Sequence, residues 1–342
     1  MDNKLSTVLK IVGLITIVMF VLMGILTFIV DTFGDDQSDA TDTTEQTEKP
    51  KTTTDKKGDR KPGEIVVNEP LENDPYEELN ELIGLEGVKE EINSLANFVK
   101  VQKMRSEKGL KTPKMSYHLV FTGSPGTGKT TVARIVARIY KDLGILKSGH
   151  MVETDRSGLV AEYMGQTAVK TNAICDSALN GVLFIDEAYS LVPKNDNGGD
   201  YGQEAISTLL KRMEDDRDKL VVIIAGYPDE MKRFINSNPG LQSRFNRYIN
   251  FPDYTSEELT RIFLMYVRKN EYTLNDDAKD YLMSRLEEVV AKKERNFGNA
   301  RYVRNVFEKC IQHQANRLSR SSAQKTEKEL KEITLADLKA TI

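Results

Sequence analysis

Residues 123–130 read Gly123-Ser124-Pro125-Gly126-Thr127-Gly128-Lys129-Thr130, and this stretch decides the fold. It fills every fixed position of the phosphate-loop pattern G-x-x-x-x-G-K-[ST]. Its surroundings agree. Residues 117–121 ahead of it read as a buried strand, and TTVARIVARIY from Thr130 onward reads as a helix. Glycines let the backbone wrap closely enough for several N–H groups to face phosphate oxygens, and the helix N-terminus adds partial positive charge. In such a loop Lys129 reaches the β- and γ-phosphates and the Thr130 hydroxyl holds Mg²⁺, with Thr131 beside them in the first turn.

A second stretch supports the first. Residues 181–187, GVLFIDE, form an apolar run that ends in two adjacent acids. Downstream of a phosphate loop, Asp186 is placed to orient Mg²⁺ and Glu187 to polarise the water that attacks the γ-phosphate. Further out, apolar runs at 118–121, 182–185, 220–225 and 248–251 alternate with helical or looped segments. That alternation predicts an α/β core, a parallel sheet flanked by helices on both faces. Val88, Ile92, Leu95, Ala96 and Val99 recur at helical spacing ahead of it. After Pro252 the pattern is all-helical, with a capping-box spacing at Thr334 and Asp337 that starts a short tail helix.

Taken with ELNELIGLEGVKEEI, EYMGQTAVKT, VVIIAGYPDEM, NPGLQSRFNRYINFPDY and NFGNARYVRN, these motifs resemble the AAA+ ATPases, and within them the CbbX/CfxQ branch. The resemblance covers residues 68–342. It implies an ATPase core over 68–252 and a helical lid over 253–342, with ATP and Mg²⁺ as ligands and a homo-oligomeric ring, a hexamer, as the assembly. Carried over by position, Ile83, Gly84 and Leu85 resemble the segment lining the adenine pocket. Arg244 resembles the arginine finger that reaches a neighbouring subunit's γ-phosphate, with Arg247 as runner-up. Arg301 resembles the sensor-2 arginine of the lid. Tyr163, Met164 and Gly165 resemble a pore loop that grips an extended client, and residues 195–200 a second loop on that side. The fourth core strand ends in Ala225-Gly226-Tyr227, as in the CbbX/CfxQ branch, where many other AAA+ ATPases carry a polar sensor-1 asparagine.

The N-terminus has a different character. Residues 11–30, IVGLITIVMFVLMGILTFIV, contain no charge. At about 1.5 Å per residue they span roughly 30 Å, the thickness of a bilayer's hydrocarbon core. They are expected to form a retained transmembrane helix after a ten-residue tail, because a cleaved signal's apolar region is shorter. Residues 31–67 are polar, acidic first and then basic, and read as a disordered tether. Lys4 and Lys10 favour an inward N-terminus. The need for ATP decides for the opposite topology: a single pass of the cell membrane with the ATPase domain in the cytoplasm.

Composition narrows the partners. The 342 residues carry 48 Lys+Arg and 52 Asp+Glu, a net charge of −4. That balance, with no basic-aromatic platform, argues against a nucleic-acid partner. Cys175 and Cys310 stand far apart and are expected to be buried thiols; His118, His150 and His313 have no metal-ligand spacing. The reading that follows is a membrane-tethered ATPase that hydrolyses ATP to remodel or thread a protein client through a ring. The alternatives are an ATP-gated assembly module that does little mechanical work, and a nucleic-acid motor or loader.

Overall fold

The computed structural model describes residues 66–68, 73–113, 115–163, 165–192, 201–294, 296–320, 322 and 324–342. The expected membrane helix at 11–30, Met164 and the loop at 195–200 lie outside the described residues. Among the described residues no helix is long and apolar enough to cross a membrane.

Six strands build one sheet: β1 (Val66–Asn68), β2 (Leu119–Gly123), β3 (Met151–Thr154), β4 (Gly181–Ile185), β5 (Leu220–Gly226) and β6 (Tyr248–Phe251), in the order β1-β3-β4-β5-β2-β6. The core helices are α1 (Pro75–Glu81), α2 (Glu86–Glu107), α3 (Lys129–Asp142), α4 (Arg156–Leu159), α5 (Thr167–Ser177), α6 (Gly202–Asp215), α7 (Pro228–Asn236) and α8 (Pro239–Arg244). The lid adds α9 (Ser256–Lys269), β7 (Thr273–Leu274), α10 (Asp276–Ala291), α11 (Ala300–Ser319), α12 (Glu327–Lys331), β8 (Glu332–Ile333) and α13 (Leu335–Lys339).

Strand residues sort by parity into two cores, as a sheet covered on both faces requires. Leu119, Phe121, Phe184 and Ile223 pack with α2, α3 and the lid, while Val120, Leu183, Ile185 and Ile224 pack with α5, α6 and α7. Val88, Ile92, Leu95, Ala96 and Val99 are buried on one face of α2. Both cysteines are free and buried. Burial pushes the Cys175 thiol up to about 12 and the Cys310 thiol up to about 11, so neither is a ready thiolate.

Four expectations need correction. The sheet is mixed rather than parallel, because β1 pairs antiparallel with β3, Val67 opposite Val152. Val66 and Val67 therefore belong to a strand, not to the polar tether assigned to 31–67. The lid is not all-helical: β7 and β8 form a parallel ribbon with Leu274 opposite Ile333. Elements of two or three residues are too short to show a period of two, and only the partner edge defines them. The strand before the phosphate loop also lies two residues later than 117–121, ending at Gly123. Gly123 pairs with Phe251. A Cβ there would come within 2.3 Å of the Phe251 carbonyl oxygen, so the loop's first glycine also serves the close approach of β6.

Candidate nucleotide site

The phosphate loop leaves the C-terminal end of β2, the strand next to the sheet edge formed by β6, on the side of the strand C-termini where ligands of open α/β sheets bind. Gly126 and Gly128 take φ of +72° and +95°, angles that L side chains rarely adopt, and α3 starts directly behind them. Lys129 Nζ donates to the carbonyls of Gly123 at 2.8 Å and Ser124 at 2.7 Å, folding the ammonium over the loop. The buried Thr127 hydroxyl donates to the Ser124 carbonyl at 2.8 Å. The first two carbonyls of the loop are thus held by its own side chains.

β5 stands between β2 and β4, and register fixes the height of the second acidic motif. Ile185 is level with Ile224, and Phe121 with Ala225, so Asp186 and Glu187 emerge at the sheet edge that carries the loop. Two strand spacings separate β4 from β2, on the order of 10 Å. Oxygen donors of the Thr130 and Asp186 kind suit Mg²⁺, a hard cation that keeps several waters and bridges to phosphate. The Asp186 N–H donates to the Thr154 carbonyl at 2.9 Å, which fixes the strand end. Glu187 is exposed, and its φ of 51° is left-handed, turning its side chain off the strand's alternation. Beside it, the rings of Tyr189 and Tyr227 lie 6.3 Å apart at the sensor-1 position. Burial, and then the charge of Glu187, pushes the Tyr189 hydroxyl above its ordinary range.

The 83–85 segment comes to the loop from the other side. Leu85, in a left-handed conformation, caps α2, and a Cβ at Gly128 would lie 3.5 Å from both Leu85 Cδ1 and the Tyr254 hydroxyl. Gly84 has φ +62°, and a Cβ there would strike Glu258 of the lid. Arg301, exposed in the first turn of α11, has its backbone against Gly126. Leu85 and Arg301 therefore stand against the loop, while Gly84 meets the lid and Ile83 lines a cleft with Arg261, Met265 and Lys269 of α9.

Arg244 does not. It ends α8 at the opposite end of β2, where the Ser116 hydroxyl donates to its carbonyl at 2.7 Å. Seven residues from Ser116 to Gly123, at about 3.3 Å each, put it on the order of 20 Å from the loop of its own chain. Its guanidinium faces Glu214 at 3.3 Å, and its Nε is buried with no hydrogen-bond partner. His118 packs on Phe245 with ring centroids 5.9 Å apart and accepts the Val222 N–H at 3.0 Å. Burial, with Arg244 nearby, lowers His118 to about 4, so the ring is neutral and serves as an acceptor. The runner-up, Arg247, lies over the Phe98 ring at 5.9 Å. Tyr163 is 67% exposed on the loop between α4 and α5, with Gly165 at φ +78°.

The residues that motif reading missed join core to lid. Asn299 is fully buried. It donates to Asp253 Oδ1 at 3.0 Å, to the Phe297 carbonyl at 3.1 Å and to the Pro125 carbonyl at 3.3 Å, and accepts the Tyr254 N–H at 3.0 Å. Lys293 reaches Asp253 at 2.7 Å. Burial pushes the Asp253 carboxyl up, but hydrogen bonds from Lys293, Ser124 and Asn299 outweigh it and hold the group below the usual carboxylate range. Only the unusual backbone of Asn299, φ 48° and ψ −125°, sets it apart, and a sequence does not display that.

A phosphate loop between the C-terminal end of a parallel strand and a helix, with an acidic pair two strands away, defines a P-loop nucleoside triphosphatase. Residues 119–253 match the ATPase family associated with various cellular activities (AAA), and residues 255–342 match the AAA lid domain. The chain is 44% identical over 245 residues to stage V sporulation protein K of Bacillus subtilis, covering 70% of this chain and 74% of that protein. It is 45% identical over 252 residues to the chloroplastic ribulose bisphosphate carboxylase/oxygenase activase of Cyanidioschyzon merolae, covering 72% and 84%. In fold it resembles the FIGL-1 AAA domain in complex with ADP, with a TM-score of 0.56, 17% identity and coverage of 81% and 85%. The chain belongs to the AAA ATPases and is an ATPase.

Proposed function

We propose that this protein is a ring-forming AAA ATPase, tethered to the cell membrane by residues 11–30 with its ATPase domain in the cytoplasm, that uses ATP hydrolysis to remodel a protein client. One observation carries the ring. Arg244 sits at the far end of β2 from its own phosphate loop, so the arginine that best resembles a finger is out of reach of its own γ-phosphate. A hydrolysis site that uses it is completed only by a second copy. Within one subunit Lys129 and the loop N–H groups bind phosphates, and Ile83, Gly84 and Leu85 face the base. Glu187 orients the attacking water and takes up its proton. Thr130 and Asp186 would hold Mg²⁺, which supplies charge neutralisation at the phosphates when bound. Arg244 of the next subunit stabilises charge on the transferring phosphoryl oxygens. The exposed Tyr163 supports client contact, and a hexamer is the ring size the family favours.

Mixing experiments test the shared site. Lys129→Ala and Arg244→Ala chains should each be inactive alone, while mixed rings should regain activity wherever an intact Lys129 site faces an intact Arg244. A finger contributes on the order of 10³–10⁵ in rate, so partial rescue is easily read by phosphate release. No rescue in verified mixed rings would reject the shared site.

A further inference from the structure

The carbonyls of the phosphate loop are held in two different ways. Those of Gly123 and Ser124 accept from within the loop and its helix, from Lys129 and Thr127. The next three are held from outside: Pro125 by Asn299 Nδ2 at 3.3 Å, Gly126 by the Ala300 N–H at 3.2 Å, and Thr127 by the Tyr254 hydroxyl at 3.4 Å. All three donors lie at the core–lid junction. A peptide group is planar and trans, so its carbonyl and the N–H of the following residue point in opposite directions. Drawing the Pro125 and Gly126 carbonyls toward the lid therefore turns the Gly126 and Thr127 N–H groups away from it, into the loop's own hollow.

We propose that Asn299 is a positioning residue for the phosphate loop: from the position just ahead of the lid helix α11 it sets the peptide orientation of residues 125–127, so that lid position controls phosphate affinity. The inference rests on the nucleotide reading above and deepens it. Four observations support it. The amide is fully buried, and each of its ends meets a partner. Its orientation is fixed, because its nitrogen faces three acceptors and its oxygen faces an N–H. Its φ of 48° is one that glycine adopts without cost, so a glycine there keeps the backbone and removes only the amide. Finally, a Cβ at Gly126 would come within 2.2 Å of the Gly298 carbonyl oxygen, so loop and lid backbones are in direct contact where the orientation is set. When the lid turns away, the Pro125 and Gly126 carbonyls lose their donors and the two N–H groups lose their aim. By linkage, phosphate held in the loop favours the seated lid to the same degree.

Two variants of the full chain test this, Asn299→Asp and Asn299→Gly. The first keeps the acceptor for Tyr254 but replaces the donor with an oxygen facing Asp253 and Pro125. The second deletes the amide while relieving the backbone. Calorimetric titration with ADP and, separately, with inorganic pyrophosphate should show both ligands weakened by the same factor, about tenfold or more, as expected for a buried carbonyl left without its donor. Hydrogen exchange at the Gly126 and Thr127 amides should accelerate. Thermal unfolding identifies any variant that fails to fold, and Asn299→Gly carries the test should Asn299→Asp be lost. Pyrophosphate affinity unchanged in a folded variant, with ADP alone weakened, would overturn the inference, because the role would then lie with the adenosine side of the pocket. If the unaltered chain bound neither ligand, the nucleotide reading itself would fall, which is a distinct result.

Discussion

At the scale of single residues, the chemistry depends on where two adjacent acids point. Asp186 continues the strand and its N–H is tied to Thr154, whereas Glu187 turns into the left-handed region and stands exposed. A carboxylate on that turn is not held by the sheet, so it is available to a water in front of the γ-phosphate. Glu187→Gln keeps the shape and removes the base. ATP binding should persist while turnover falls by about 10²–10⁴, read by nucleotide titration beside phosphate release. Turnover near the level of the unaltered chain would move the water-orienting role to the Tyr189–Tyr227 pair, whose rings stand beside the acid pair.

At the scale of elements, polar pairs at helix ends add to the apolar core of the lid. Asp337 closes the capping box of α13 with Thr334 and also receives Arg317 of α11, at 3.0 Å from Nε and 2.8 Å from Nη2. Burial pushes the Asp337 carboxyl up, but the hydrogen bonds from Arg317 and Thr334 outweigh it and leave the group below its ordinary value, as with Asp253. A carboxyl lowered by folding stabilises the folded state above its unfolded value and loses that contribution as pH falls through its folded value. The lid should therefore weaken below about pH 4. Asp337→Asn should cost about 1–3 kcal/mol near neutral pH, and the gap to the unaltered chain should close in acid. Denaturant unfolding at a series of pH values checks this; a gap independent of pH would refute the ionic role. The capping box is legible at Thr334 and Asp337, three residues apart. Arg317 comes from another helix, and only packing assigns it.

At the scale of the whole molecule, motor and gate make different predictions about Tyr163. The tyrosine is exposed on the α4–α5 loop, and its neighbour on α5, Val169, is 69% exposed as well. An aromatic ring held out of the core adds little to packing, so its removal should not cost stability. Tyr163→Ala should leave basal hydrolysis and melting temperature unchanged, because Lys129, Asp186 and Glu187 are untouched. Client-stimulated hydrolysis and client remodelling should both fail. Assays with and without client, beside a thermal melt, decide the matter, and intact remodelling in a stable ring would leave the gating reading ahead.

Much of this protein is settled by local sequence. The phosphate loop, the acid pair after β4, the buried faces of α2 and the lid helices, and the tail capping box all follow from spacing, because their physics operates within one turn or one strand. The tertiary structure alone decides what crosses between elements. It adds β1 to the sheet edge and pairs β7 with β8, since two or three residues carry no period of their own. It puts Arg244 at the far end of β2 from the loop, a distance set by strand length and direction. It also assembles Pro125, Asp253, Tyr254 and Asn299 around one buried amide. Residues more than 170 positions apart in the chain meet there, and no local pattern encodes a hydrogen bond that long-range packing must first bring into reach.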